Sequence, residues 1–110
     1  MLLKAFPDRR IEIFDPQEDF ELTINTTSLG MKEDLSPVAE DLLDRSARVV
    51  DIIYNPSETR LLKEAKKKGI PTKNGLGMLL HQGAEAFEIW TGFDAPVDIM
   101  EESLLRSLKE

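Results

Sequence analysis

Four hydrogen-bonding side chains stand together at Asn25-Thr26-Thr27-Ser28. Amides and hydroxyls of this kind can hold a ribose or a carboxamide. They also build polar turns that satisfy their own backbone, and the residues alone leave both readings open. Tyr54 closes an apolar run, so its ring is expected to pack while its hydroxyl seeks a partner, either a substrate or a neighbouring carbonyl. Asp51 interrupts Val49-Val50 and Ile52-Ile53, where a charge is costly unless hydrogen-bonded. We read it as structural, capping or pairing within a sheet. The Gln82 amide can both donate and accept to a hydroxylated ligand. Met78 can cover a flat ring or simply fill a core. The single histidine, His81, is assigned no role.

Gly75-Leu76-Gly77 begins like a dinucleotide fingerprint, but the third glycine position holds Leu80. The strand-to-helix turn at Tyr54-Asn55-Pro56 contains no glycine. No pyrophosphate-binding loop is read from this chain, and no phosphate loop of the G-x-x-x-x-G-K type. Asn25-Thr26-Thr27 also fits the N-glycosylation pattern, to which nothing is assigned.

These residues must be positioned by alternating elements. Met1–Phe6 reads as the last turn of a helix, broken by Pro7-Asp8, and Ile11–Phe14 as a strand stopped by Asp15-Pro16. The β-branched run 22–27 predicts a second strand. Ser36-Pro37 predicts a helix start, Ser capping and Pro at the first position, with an end near Arg45. The near-continuous apolar run 49–54 predicts a strand buried on both faces, as in a parallel sheet. Asn55-Pro56-Ser57-Glu58 predicts a capped helix running to Lys68, with Gly69 at its C′ position and Pro71 beyond. A short fourth strand fits 70–74. Leu76, Leu79, Leu80, Gly83, Phe87 and Trp90 lie on one helical stripe ended by Gly92, and a last helix starts at Asp94-Ala95-Pro96.

Strands alternating with helices imply parallel units with right-handed crossovers. The expected fold is α/β, three-layered in its first part: a partial Rossmann-like parallel sheet of three to four strands with flanking helices and a C-terminal helical pair. Residues 1–75 form the sheet-bearing portion and 76–110 the helices. Asn25–Thr27, Tyr54-Asn55 and Asn74-Gly75 then share the carboxyl edge of the sheet, where open α/β sheets bind ligands.

The 110 residues suit one domain. No cysteine is present, which excludes disulfides and thiolate metal sites, and one histidine argues against a His-rich metal site. Twenty-one acidic against fourteen basic residues give a net charge of −7, a poor match to nucleic acid. No apolar run approaches a membrane span. The opening MLLKAFPDRR is short and soon charged, unlike a secretory signal, so a cytoplasmic location is expected.

Four ordered segments carry a specific likeness. They are Asn25–Met31 (NTTSLGM), Asp51–Thr59 (DIIYNPSET), Asn74–Ala84 (NGLGMLLHQGA) and Ala86–Gly92 (AFEIWTG). In this order the chain resembles shikimate dehydrogenase, the NADP-dependent oxidoreductase of aromatic amino-acid biosynthesis, over residues 22–92. The resemblance implies hydride transfer between NADP(H) and the 3-dehydroshikimate/shikimate pair. It implies that Tyr54 and Gln82 contact shikimate. Ile52 would lie against the nicotinamide, the Gly75 backbone would meet its amide, and Met78 would wall that site. Asn25, Thr26, Thr27 and Ser28 would line the cofactor cleft. The family's catalytic Lys and Asp and its glycine-rich loop have no counterpart in these residues.

The expectation is therefore a fragment inactive alone, with weak or no NADP binding. The alternative is a non-catalytic binding module, or a subunit completed by a partner carrying the missing domains. In the usual Rossmann strand order the edge of the 22–27 strand is left bare. The stripe through Leu79, Phe87, Trp90 and Leu104 lacks a cover as well. A homo-oligomer that shields Trp90 is expected.

Overall fold

The computed structural model describes residues 18–109. The helix end expected at 1–6 and the strand expected at 11–14 lie outside the described residues. Three short strands, β1 (Thr23–Asn25), β2 (Val49–Asp51) and β3 (Thr72–Lys73), form a parallel sheet in the order β1-β2-β3. Thr23 pairs with Val49 and Asn25 with Asp51; Val49 pairs in turn with Thr72 and Val50 with Lys73. The parallel sheet and its alternation with helices follow the sequence reading. The strands are shorter than the apolar runs suggested because side chains take over the backbone at their ends. The Asn25 Oδ1 accepts from the Thr27 amide at 2.9 Å, and the Asp51 Oδ1 accepts from the Ile53 amide at 3.1 Å. Each bond closes a local turn in competition with the ladder.

The helices are α1 (Glu40–Asp44), α2 (Arg60–Lys67), α3 (Leu76–Thr91) and α4 (Val97–Lys109). Two begin later than their sequence signals. Ser36 does not cap α1: its hydroxyl accepts from the Val38 amide and donates to the Val38 carbonyl, and Ala39 stands at the N-cap without a side-chain bond. α2 is capped by Thr59 rather than Asn55; its hydroxyl accepts from the Leu62 amide at 3.4 Å. Its C-terminus follows expectation, with Lys66 and Lys67 in the last turn and Gly69 left-handed at φ +73.

Leu43, Val49, Leu61, Leu62 and Ala65 form the core, with Val38 and Ile70 packed against it. Residues alternate across a strand, so Thr23, Asn25, Val49 and Asp51 point to the helix-covered face. Leu22, Ile24 and Val50 point the other way, and Leu22 and Ile24 are about half exposed. Among the described residues the sheet thus carries helices on one face and is bordered on the other by the start of α3. The α3 stripe is covered only at its start. Leu80 and Ala84 are buried, but Trp90 is 82% exposed, because α3 leaves the sheet after its first turns and packs on α4.

Candidate functional site

The carboxyl ends of the three strands converge, as parallel pairing requires. Asp51 sits at the centre, fully buried. Its Oδ1 accepts from the Asn25 Nδ2 at 3.2 Å and from the Ile53 amide, and its Oδ2 accepts from the Thr59 hydroxyl at 2.7 Å. The carboxylate therefore ties β1, the end of β2 and the cap of α2 together, a structural use of the kind its sequence position implied.

Asn25 is buried with its amide fully engaged. Nδ2 donates to Asp51 and to the Leu29 carbonyl at 3.4 Å; Oδ1 accepts from the Thr27 amide and from the Thr27 hydroxyl at 2.7 Å. Thr26 and Ser28 are exposed, and their hydroxyls have no hydrogen-bond partner among the described residues. Asn25, Thr26 and Thr27 line a groove of about 590 Å³ between β1 and the segment 37–42.

At the neighbouring strand end, Gly75 is buried directly against Ile52. A Cβ at position 75 would overlap the Ile52 carbonyl carbon and oxygen, so only glycine permits this approach. The Gly75 amide donates to the Ile53 carbonyl at 3.1 Å, and its carbonyl accepts from Leu79 inside α3. Asn74 braces the same turn. Its Nδ2 donates to the Ser57 carbonyl at 2.9 Å and its Oδ1 accepts from the Leu76 amide at 3.1 Å. Tyr54 follows Ile53 and is half-buried, its hydroxyl without a partner among the described residues.

Met78 and Gln82 share a second groove of about 460 Å³ with Val50, Lys73, Asn74 and His81. Met78 is 58% exposed. Gln82 donates to the Leu79 carbonyl at 3.0 Å, which leaves its Oε1 open. The nine sequence-selected residues thus lie along one sheet edge, in three places rather than one cavity. Asn25, Thr26 and Thr27 border one groove and Met78 and Gln82 the other, while Ser28, Ile52, Tyr54 and Gly75 line neither. Sequence reasoning placed Asn74 at the sheet edge without giving it a role, and passed over Lys73. The signal available was their place immediately before Gly75, at the end of β3. The shifted titrations lie elsewhere. The Arg60 guanidinium is raised by its bond to Glu64 and by Asp34, and the Lys68 ammonium by its bonds to Asp44 and Glu40.

Among the described residues no group of His, Cys, Asp or Glu could hold a metal ion, and no helix is long and apolar enough to cross a membrane. Residues 75–105 match the family described as the shikimate 5'-dehydrogenase C-terminal domain. The chain is 49% identical over 90 residues to the shikimate dehydrogenase (NADP(+)) of Methanococcus aeolicus, covering 79% of this chain and 32% of that one. A solved shikimate dehydrogenase in complex with NADP+ superposes with a TM-score of 0.74 at 44% identity, over 82% of this chain and 32% of that one. The enzyme from Thermus thermophilus, solved with NADP(H) and shikimate, gives 0.70 at 40% identity, over 78% and 33%. The chain spans about a third of the length of the relatives it matches.

Proposed function

Because this chain is homologous to about a third of the length of the shikimate dehydrogenases, including their C-terminal domain, we propose that it supplies one wall of an NADP-dependent site for hydride transfer between 3-dehydroshikimate and shikimate. The observation that carries this reading is the seating of Gly75 on Ile52 at the sheet edge, beside a Tyr54 hydroxyl left without a partner among the described residues. Backbone at Gly75 and the side chains of Ile52 and Met78 would flank the nicotinamide. NADP, when bound, supplies the hydride acceptor or donor. The Tyr54 hydroxyl and the Gln82 Oε1 would meet shikimate hydroxyls. Thr26 and Ser28, with free hydroxyls, are the better placed of the 25–28 group to touch the cofactor, and Asn25 and Thr27 hold the turn that presents them.

An alcohol oxidation needs an acid/base group at the reacting carbon, worth roughly 10²–10⁴-fold, and the family's catalytic Lys and Asp have no counterpart among these residues. The pyrophosphate also finds no glycine loop here. The 110 residues alone are therefore inactive and bind NADP in the millimolar range or more weakly, a binding free energy of about −4 kcal/mol at most. The test mixes this chain with the separately expressed remaining two-thirds of a shikimate dehydrogenase. NADP-linked shikimate oxidation is expected in the mixture only, reduced about tenfold or more by Tyr54→Phe or Gln82→Ala. Activity of the chain alone, or a mixture indifferent to both substitutions, overturns the reading.

A further inference from the structure

The chain contains three asparagines, Asn25, Asn55 and Asn74. An asparagine loses its side-chain nitrogen when the amide nitrogen of the next residue attacks its Cγ. Pro56, after Asn55, has no amide hydrogen to give up. The branched Thr26 crowds the ring that would form at Asn25, whose carboxamide is fully bonded as well. Gly75 presents neither obstacle, so Asn74-Gly75 is the labile pair of this sequence. The structure fixes both of its members. Gly75 is required by the Ile52 carbonyl, which leaves no room for a Cβ. Asn74 is required by opposite demands on one carboxamide. Its Nδ2 donates to the Ser57 carbonyl at 2.9 Å while its Oδ1 accepts from the Leu76 amide at 3.1 Å.

The same bonds hold the reaction off. The Gly75 nitrogen, the nucleophile, has its hydrogen committed to the Ile53 carbonyl at 3.1 Å. The leaving nitrogen, Nδ2, is tied to Ser57. The Leu76 bond to Oδ1 draws electrons from the Cγ carbonyl and so favours attack, yet it also holds the carboxamide in place. Ring closure has to break the Ile53 bond and lift Gly75 off Ile52. We propose that Asn74 is a modification site gated by the fold, closed while the turn between β3 and α3 is made and deamidated once that turn opens. The Gly75 nitrogen then bonds to the Asn74 Cγ, the Cγ–Nδ2 bond breaks, and Nδ2 departs as ammonia with the proton that Gly75 gave up. Water opens the five-membered imide at either carbonyl, leaving aspartate or isoaspartate at 74. The two products differ in consequence. Aspartate loses the donor to Ser57 but still accepts from Leu76, at the positive end of α3. Isoaspartate carries the main chain through the side-chain carbon, one C–C bond or about 1.5 Å longer, just ahead of the point where Gly75 must meet Ile52. Gly75 then loses its seat.

The test holds the full chain in mildly alkaline buffer, folded and in guanidinium chloride. Residue 74 is followed by peptide mass and by an isoaspartyl methyl-transfer assay. In the unfolded chain Asn74 is expected to deamidate well before Asn25 or Asn55, and in the folded chain about tenfold or more slowly than in the unfolded one. Equal rates in the two states overturn the gate. An unfolded chain that loses Asn25 or Asn55 first overturns the choice of site. The isoaspartyl chain, separated and refolded, is expected to melt below the native chain and to exchange its Gly75 amide freely, while Asn74→Asp keeps that amide protected. An isoaspartyl chain that protects Gly75 as well as Asn74→Asp does overturns the consequence assigned to the modification.

Discussion

Asp51 and Gly75 bear the site without touching a ligand. Asp51 accepts three hydrogen bonds in a fully buried position. In Asp51→Ala the Ile53 amide, the Asn25 amide and the Thr59 hydroxyl lose their acceptor at once. Buried donors left unmet cost about 1–3 kcal/mol each, and local relaxation recovers part of the sum. A loss of about 3 kcal/mol is expected, read from the midpoint of urea unfolding, whereas Thr59→Ser keeps the hydroxyl and should change little. Gly75 and Gly77 make a matched pair. Alanine at 75 collides with the Ile52 carbonyl, and this backbone contact cannot swing aside as a side chain can. A loss of about 3 kcal/mol is expected there, at the upper end of overpacking costs. Alanine at 77 meets only the Lys73 Cε at 3.6 Å, an ordinary contact. Helix propensity then favours it by up to about 1 kcal/mol. Thermal melts of the two variants should move in opposite directions.

Among the elements, the parallel sheet was legible from the unalternating run at 49–53, and the ends of α2 and α3 from Gly69 and Gly92, both left-handed at φ +73. The starts of α1 and α2 were not. A cap is chosen by the competition for a side-chain oxygen, and at Thr59 the winning term is a bond to Asp51, eight residues back on another element. The lysines closing α2 show the same limit. Their local reading is complementarity to the helix dipole, but Lys68 also crosses to α1, bonding Asp44 at 2.6 Å and Glu40 at 3.2 Å. Those bonds, Asp44 first, raise the Lys68 pKa above its ordinary 10.5. A cation raised in the folded state contributes stability that is complete below its unfolded pKa and fades as pH climbs through the folded value. Lys68→Met should therefore show a small deficit in Tm that is constant across neutral pH, shrinks with added salt, and disappears only in strong alkali above the ordinary lysine range. A deficit that vanished near neutrality would contradict this origin.

The whole molecule divides into two bodies of unequal cohesion. The sheet, α1 and α2 share one core, in which Leu43, Val49, Leu61 and Ala65 are fully buried. The helices α3 and α4 lean mainly on each other, meeting where a Cβ added at Gly83 would stand 3.6 Å from the Met100 Cε. α4 buries no residue, and Ile89, Trp90, Phe93 and Ile99 are 65–82% exposed. The periodicity of α3 announced an apolar face but not what the face would meet; the stripe was expected to lack a cover within the chain, and Trp90 stands exposed there. Local stability follows buried contact, and segments with few buried contacts open below the global free energy. α4 should accordingly exchange its amide hydrogens through a sub-global opening whose free energy barely responds to denaturant. The amides of Leu62 and Ala65 should exchange only with global unfolding, and their free energies should fall steeply with denaturant. Native-state exchange read residue by residue separates the two. Exchange of α4 at the global free energy, with the same denaturant slope as Leu62, would mean that the exposed apolar face is covered in solution and that the two bodies unfold as one.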